Sequence, residues 1–331
     1  GYFEELIRKY LLENPHGCIM TLVPKKGLAA QREKELEEKL EAYRSSLSEE
    51  QLDAMVEKTK ALEAYQEAGE DPKALECIPM LKRSDIKREA AKIINEELTV
   101  DDSLFLYHDV CTNGIGYVDL MFKTDSIAPE QIPYLGLLKS VLGYVDTENY
   151  TYGELFNEIN ANTGGINCGV EVFDRADSTE EFQAMFSVRG KALYTKMDFL
   201  FKMIGEILNS SKLEDTKRLY EIVASVKSRA QVNLTGAGHS TAVLRAAAYS
   251  SPMAAFQDEM AGIGYYQFIE KLEKDFEQRK EETVEELCKL MKKILRPENF
   301  MISYTGERES LETVQKLAGA VKAGLGTEPV E

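Results

Sequence analysis

The chain has 331 residues, a formal net charge of -17, 44% hydrophobic residues and 29% charged residues. This is the composition of an ordinary globular protein, and the length exceeds the size at which single hydrophobic cores stop growing, so we expect more than one structural unit. The acidic balance argues against nucleic-acid binding, because phosphates need a basic face. No apolar run approaches the ~20 residues that cross a bilayer, so we expect a soluble protein without a membrane partner.

Cysteine and histidine usage bounds the redox compartment and the metal chemistry. The five cysteines are scattered and form no C-x-x-C pair, which indicates reduced thiols in a reducing compartment. The three histidines are His16, His108 and His239, and no two stand at i, i+4 spacing. The sequence therefore contains no helical two-histidine zinc motif.

The first 27 residues do not have the content of an independent domain. Residues 3–13 are amphipathic and predict a helix, which Asn14-Pro15 ends. Residues 17–24, GCIMTLVP, predict a short strand. Since one helix and one strand are too small to fold alone, we interpret residues 1–27 as the C-terminal end of a preceding domain.

Residues 28–72 are highly charged and predict a helical hairpin. In the first half, apolar residues recur at spacings of 4, 3 and 4, and in the second half Ser48 and Gln51 form a capping box that starts another helix. We expect two antiparallel helices within residues 31–68. The hairpin could be a partner-binding coil, but a solvated connector between domains is the interpretation we favour.

Residues 73–331 predict an α+β domain that begins with strands. SLFLYHDV and IGYVDLMFKT alternate around Asn113-Gly114, which predicts a β-hairpin. Two helices within residues 134–162 lead to a glycine pair, Gly164-Gly165, that opens a strand. This strand, INCGVEVF, is predicted to pair with EFQAMFSVRG across the turn DRADS.

The second half of this domain is mainly helical. A helix from Ala192 to Leu208 has a broad apolar face, with Phe199 and Met203 directed at the sheet. A helical block from Glu214 to Leu295 follows, with breaks at residues 236–238, 251–252 and 262–264, and then a returning strand, ENFMISYTG, and a final helix. This order predicts a mostly antiparallel sheet with helices packed on one face.

The residues themselves define no catalytic site. Residues 236–241, GAGHST, lack the lysine of a phosphate loop and follow a helix, so we interpret them as a helix break with His239 at the surface or as a cap. His108 alternates within a strand, which is typical of a packed or edge histidine. Glu154 and Glu158 lie on a solvated helix face. No set of residues supplies a nucleophile, a base and an orienting group, so we assign no catalytic, metal-binding or substrate-binding residue.

Several phrases resemble the presequence-protease-type zinc peptidases, the large single-chain branch of the pitrilysin/insulinase family. The end of their second domain is similar to FEELIRKYLLENPHGCIMTLVP, and the connector between their two halves is similar to AAQREKELEEKLEAYRSSLSEEQL. The entry into the third of their four homologous domains is similar to CIPMLKRSDIKRE and TNGIGYVDLMFKTDSI, and the close of that domain is similar to PENFMISYTGERESLETV. The resemblance covers nearly the whole chain.

The resemblance also implies where the chemistry of the family is missing. In this family only the first domain carries the inverted zinc motif H-x-x-E-H on a helix. Counting back from Gly164 places the corresponding residues at 137–141, LLKSV. Leu137 and Val141 would stand where the two histidine ligands stand, and Ser140 where the glutamate base stands. Because Leu and Val offer no donor atom to zinc, the segment is expected to keep the shape of the site without its cofactor or its activity.

The function implied by the resemblance is that of a chamber-forming, non-catalytic segment of a zinc metalloendopeptidase that degrades unstructured peptides. The zinc would belong to the parent protein, and the partners would be peptide substrates and the remaining domains of the same chain. The location would be cytoplasmic, or alternatively the mitochondrial matrix or another organelle. Two alternatives stay open: a stand-alone binding or scaffold module that uses the helical hairpin, and an unrelated hydrolase that uses His108 or His239.

Overall fold

The computed structural model describes residues 1–90, 92–178 and 180–327. The chain divides into two units, Gly1–Ala90 and Ala91–Glu331. The three segments expected from the sequence, 1–27, 28–72 and 73–331, are a finer division, which stays a prediction. None of the helices in the described ranges combines the length and the apolar character needed to cross a bilayer.

The first unit is built from helices with exposed surfaces. Its helices are α1 Tyr2–Ile7, continued by a π-helical turn over Arg8–Leu12, α2 Leu28–Ser46, α3 Glu49–Glu67 and α4 Pro72–Leu75. The predicted capping box is confirmed: Gln51 N–H donates to Ser48 Oγ at 3.3 Å, and Ser48 N–H donates to Gln51 Oε1 at 2.9 Å. No residue of α2 or α3 is buried, so the apolar stripes of these helices remain in contact with solvent.

The strand predicted over residues 17–24 is not formed, and this prediction was wrong. These residues are described as irregular backbone, and Ile19 is 98% exposed. A strand needs a partner for its backbone N–H and C=O groups, and none of the strands in the described chain pairs with this segment. An apolar sequence without a partner strand therefore stays extended and open.

The second unit contains one six-stranded mixed sheet. The strands are β1 Glu96–Val100, β2 Ser103–Asp109, β3 Ile115–Lys123, β4 Ile166–Asp174, β5 Phe182–Leu193 and β6 Phe300–Gly306. Their order is β1-β2-β6-β3-β5-β4. Only the β2–β6 pair is parallel among these neighbours, so the predicted mostly antiparallel sheet is confirmed, with this one exception.

The β-hairpin predicted around Asn113-Gly114 is wrong in its pairing. The turn itself is present, because Asn113 and Gly114 have φ values of 53° and 80°, as an Asn-Gly turn requires. The two strands that it joins do not pair with each other, because β6 lies between them. Tyr304 of β6 stands opposite Tyr107 on one side and Val118 on the other. Local turn chemistry thus set the turn, and a strand from far along the chain decided the pairing.

The carboxylate of Glu307 holds this connection across the end of β6. It accepts hydrogen bonds from the N–H and the hydroxyl of Thr112, at 2.9 and 2.8 Å, and from the N–H of Asn113 at 3.0 Å. The N–H of Glu307 donates to the hydroxyl of Tyr194, just beyond β5, at 2.7 Å. Burial alone would raise the pKa of Glu307, but the hydrogen bonds from Thr112 outweigh it and lower the pKa to about 2.

The helices of the second unit follow the predicted order. They are α5 Ile132–Val141, α6 Tyr152–Asn162, α7 Met197–Ser210, α8 Thr216–Gly236, α9 Gly238–Ala247, α10 Pro252–Ala261, α11 Ile263–Lys274, α12 Phe276–Ile294 and α13 Leu311–Ala323. The three predicted breaks between residues 214 and 295 are confirmed. α7 begins later than expected, because β5 continues to Leu193, which stands opposite Ile115 in the ladder.

The core of this unit lies between the helices and one face of the sheet, as predicted, but the apolar face of α7 is rotated from the expected one. Leu200, Met203 and Ile207 are buried at spacings of three and four residues, whereas Phe199 is only partly buried. Leu200 packs on Gly190 of β5, where an added Cβ would come within 2.6 Å of Leu200 Cδ1. Met203 thus fulfils the prediction and Phe199 does not.

We predict that Leu200→Ala destabilises the protein more than Phe199→Ala. Loss of a fully buried Leu costs about 2–5 kcal/mol, because the cavity collapses only in part, and the partly buried Phe199 loses less contact. The measurement is the free energy of unfolding in urea for both variants. A larger loss for Phe199→Ala would show that the assignment of the faces of α7 is incorrect.

We also predict that Glu307→Gln lowers stability at neutral pH, because the neutral amide accepts the three hydrogen bonds less strongly than a carboxylate. The folded-state pKa is depressed, so this stabilisation is present above the unfolded pKa and is lost as the pH falls through about 2. The difference between wild type and variant should therefore shrink on acidification, as followed by urea unfolding at several pH values. The control is Glu309→Gln at a neighbouring exposed position, and a pH-independent difference for Glu307→Gln would contradict the prediction.

Candidate functional site

The second face of the sheet, opposite the helix-packed core, carries polar side chains at its centre. Because side chains alternate along a strand, the residues between the core positions of β3, β4 and β5 point to this face. Met121 and Met185 on this face are buried but do not belong to the main core cluster. Tyr117 and Arg189 on the same face are exposed. The second face therefore presents its own chemistry.

One guanidinium bridges two carboxylates at the centre of this face. Arg189 stands directly opposite Asp119 in the β3–β5 ladder, and its Nε donates to Asp119 Oδ2 at 2.7 Å. Its other arm lies 3.1 Å from Glu171 Oε1 on β4. The Asp119 side chain is 18% exposed and that of Arg189 is 50% exposed. The three groups carry one net negative charge.

Asp119 keeps an unused hydrogen-bond acceptor in this arrangement. Its Oδ1 atom is buried and meets no hydrogen-bond donor in the part of the chain that the structure describes. Burial raises the pKa of Asp119, and the hydrogen bond and charge of Arg189 lower it less. A buried acceptor without a donor is unfavourable, so the site would gain from a ligand that brings an N–H group.

A cleft of about 410 Å³ lies over this cluster and extends to the glycine pair. It is lined by Asp119, Arg189, Gly164, Gly165 and other residues of β3, β4, β5 and β6. Gly164 is needed here, because an added Cβ would come within 2.6 Å of the Lys191 side chain. The glycine pair therefore brings the backbone close to β5 at the floor of the cleft.

A second cleft of about 320 Å³ continues from the first, since both are lined by Tyr117, Gly164 and Lys191. The Lys191 ammonium lies 6.0 Å from the centroid of the Tyr117 ring. Lys196, at the far end, donates to Asn162 Oδ1 at 3.0 Å. The two clefts together form an extended groove with an aromatic surface, with the acidic cluster at one end and lysines at the other.

The residues at the position of the zinc motif are part of the apolar core. Leu137 and Val141 are 0% exposed, and the Ser140 hydroxyl donates to the Gly136 carbonyl at 3.3 Å. Hydrocarbon side chains have no lone pair for a metal, so these positions do not fit a zinc ion. Across residues 1–90, 92–178 and 180–327, no group of three or more His, Cys, Asp or Glu side chains could hold a metal ion.

The histidines lie in separate elements and take structural roles or face solvent. His108 Nδ1 is 2.7 Å from the Ile94 carbonyl oxygen and Nε2 is 3.1 Å from Ser303 Oγ, so the prediction of a packed or edge histidine is confirmed. His239 is exposed in the first turn of α9, where no side chain caps the helix. His16 is exposed in the first unit. These placements do not supply the base and nucleophile that an unrelated hydrolase would need.

The Asp119–Arg189–Glu171 cluster was not predicted from the sequence. A signal was present, because polar residues alternate with apolar ones at these positions in YVDLM and SVRG. That pattern shows that each residue faces away from the core. It does not show that the three meet, which depends on the register of β3, β4 and β5.

Comparison with known families identifies the class of protein. Residues 22–272 match the family model described as peptidase M16 subfamily C associated. The match covers most of the chain, and the chain belongs to this family. The resemblance to presequence-protease-type peptidases, stated from the sequence, is thereby confirmed.

Named relatives give the same placement. The chain is 35% identical over 316 residues to protein HypA of Clostridium perfringens, covering 96% of this chain and 32% of that protein. It is 28% identical to presequence protease 1, chloroplastic/mitochondrial, of Arabidopsis thaliana, covering 95% of this chain and 29% of that protein. The chain thus spans about a third of the length of these relatives.

A solved structure shares the fold. A conserved protein from Enterococcus faecalis V583 superposes with a TM-score of 0.50 at 11% identity, over 72% of this chain and 55% of that chain. At this identity the likeness concerns the fold alone.

We predict that Arg189→Met destabilises the protein by about 1.5–3 kcal/mol, the range for hydrogen bonds to charged groups. The variant leaves Asp119 and Glu171 without their shared cation on a partly buried surface. The measurement is the free energy of unfolding in urea, and Asp119→Asn in the same background should restore part of the loss. The matched control is Arg175→Met, which breaks exposed ion pairs and should cost under about 1 kcal/mol. Equal losses for the two arginines would contradict the prediction.

Proposed function

We propose that this chain is a non-catalytic, chamber-forming part of a zinc metalloendopeptidase that degrades unstructured peptides. The observation that carries the proposal is the family match over residues 22–272, combined with the full burial of Leu137 and Val141 at the place of the zinc motif. The match supports a protease as the parent protein. The burial supports a part of it that gives structure and does no chemistry.

The second face of the sheet supplies the surface that such a wall would need. Its groove offers the unused acceptor of Asp119, the Tyr117 ring and the ammonium groups of Lys191 and Lys196. An unstructured peptide carries free N–H and C=O groups along its backbone, and these match donors and acceptors set along a groove. The net charge of -17 would also favour basic peptides by long-range attraction.

The remaining assignments follow from this proposal. Residues 1–27 would be the end of a preceding domain, residues 28–72 the connector and residues 73–331 the non-catalytic domain. The zinc would be held by other parts of the parent protein, and those parts and the peptide substrates would be the partners. We propose a cytoplasmic location, with an organelle such as the mitochondrial matrix as the alternative, because relatives include proteins named mitochondrial.

The alternative function is a stand-alone binding or scaffold module. One observation favours it: the apolar residues Leu36, Leu40 and Tyr43 of α2 are each more than half exposed. A partner helix could cover this stripe. The two functions place the binding surface in different units of the chain.

We predict that the purified chain binds no stoichiometric zinc and hydrolyses no peptide. Catalytic zinc needs three protein ligands and an open position for water, and the positions at 137 and 141 offer none. The measurements are elemental analysis of a dialysed sample and cleavage of a quenched peptide with and without a chelator. Leu137→His, Ser140→Glu and Val141→His combined should create no activity, because these positions lie in the core. One zinc per chain, or chelator-sensitive cleavage, would overturn the proposal.

Binding of a labelled unstructured basic peptide separates the wall from the scaffold module. Fluorescence anisotropy should show weaker binding to Asp119→Asn than to wild type, and unchanged binding to Leu40→Ser, a substitution of the exposed stripe of α2. Loss of binding with Leu40→Ser alone would favour the module.

A further inference from the structure

A third pocket lies among the helices, away from the residues of the groove. It has a volume of about 250 Å³, below the ~300–1,000 Å³ of pockets for drug-sized ligands. The lining comes from the end of α5, from α8 and α9, and from the junction of α10 with α11. The residues are Ser140, Val226, Arg229, Ala230, Asn233, Leu234, Thr241, Ala261, Gly262 and Tyr265. We call it the Arg229 pocket.

Two of its polar side chains come from one face of α8. Arg229 and Asn233 are four residues apart, so they are neighbours on the helix surface. In the described ranges, the structure shows no ion pair and no side-chain hydrogen bond for either residue. Among the described residues of the lining, Arg229 is the one that carries a charge. A guanidinium and an amide therefore point their unused N–H donors at the same small space.

A third donor lies in the buried part of the pocket. Tyr265 is 6% exposed, and its hydroxyl is buried without an aligned hydrogen-bond partner among the described residues. The neighbouring Ser140 gives its own proton to the Gly136 carbonyl. Burial raises the pKa of Tyr265, while Ser140 and Arg229 lower it less, so the hydroxyl keeps its proton at neutral pH. A buried hydroxyl without an acceptor is unfavourable, and a ligand oxygen would relieve it.

The acid beside the pocket is already neutralised. Asp258 lies next to the lining residue Gly262, and its carboxylate accepts from Arg245 Nη1 at 2.5 Å and from the N–H groups of Ile263 and Gly264 at 3.1 Å each. Its negative charge is thus paired. The charge that faces the pocket is the positive charge of Arg229.

We propose that the Arg229 pocket binds a small oxyanion, a carboxylate or a phosphate. The Arg229 guanidinium would hold two of its oxygens, as planar guanidinium groups do with such ligands, and the Asn233 amide and the Tyr265 hydroxyl would donate to it. The pocket borders Ser140, the position that the family resemblance aligns with a catalytic glutamate, but its chemistry is anion recognition. This site does not depend on the proposed role of the second face.

The test is thermal unfolding of the whole chain with increasing inorganic phosphate or acetate, at constant ionic strength made up with chloride. A ligand that binds only the folded state raises the unfolding midpoint in a saturable manner. We expect such a rise with at least one of the two anions, and the stronger one identifies the oxyanion class. Arg229→Gln should weaken its binding by about tenfold or more, since a charge-assisted contact is lost.

Two further variants separate binding from folding. Lys217→Gln, on the same helix and about 18 Å away along it, removes the same charge and should leave binding unchanged. Tyr265→Phe should weaken binding without lowering the midpoint in chloride alone, because the hydroxyl lacks a partner before the ligand arrives. The proposal is overturned if neither anion acts beyond chloride, if Arg229→Gln responds like wild type, or if Tyr265→Phe is destabilised in chloride.

Discussion

The placement of β6 between β2 and β3 is the constraint on which the rest of the sheet depends. It makes β2 and β3, which a short turn joins, neighbours of the same strand and not of each other. The connection must then pass over the end of β6, and Glu307 ties it there through Thr112 and Asn113. With β3 fixed in this way, β5 and β4 follow outward, and their register places Arg189 between two carboxylates.

Local features of the fold could be predicted from the sequence because local chemistry decides them. The capping box at Ser48, the turn at Asn113-Gly114 and the helix breaks between α8 and α11 each depend on a few adjacent residues. Features that depend on partners could not be predicted. Residues 17–24 have the composition of a strand but no strand beside them, and β2 and β3 have the pattern of a hairpin but are separated by a strand from the far end of the unit.

The sites divide along the same line. The lack of zinc ligands at Leu137 and Val141 could be predicted, because a side chain without a donor atom cannot bind a metal in any fold. The second face could not, because Asp119, Glu171 and Arg189 come from three strands whose register the sequence does not reveal. The Arg229 pocket was missed for a related reason: its donors come from α8 and α11, and neither helix carries a recognisable binding motif.

The position of β6 also has a consequence for how the chain folds. Before β6 arrives, β1–β2 and β3–β5–β4 share no hydrogen bonds, and each half presents an unpaired strand edge at the centre of the future sheet. Such edges pair readily with other extended chains, and contacts between residues distant in sequence form slowly. During synthesis from the N-terminus, most of the second unit is made before its central strand. The final step of sheet formation is then the insertion of one strand into a gap already flanked on both sides, so the two halves become a single cooperative structure only at the end.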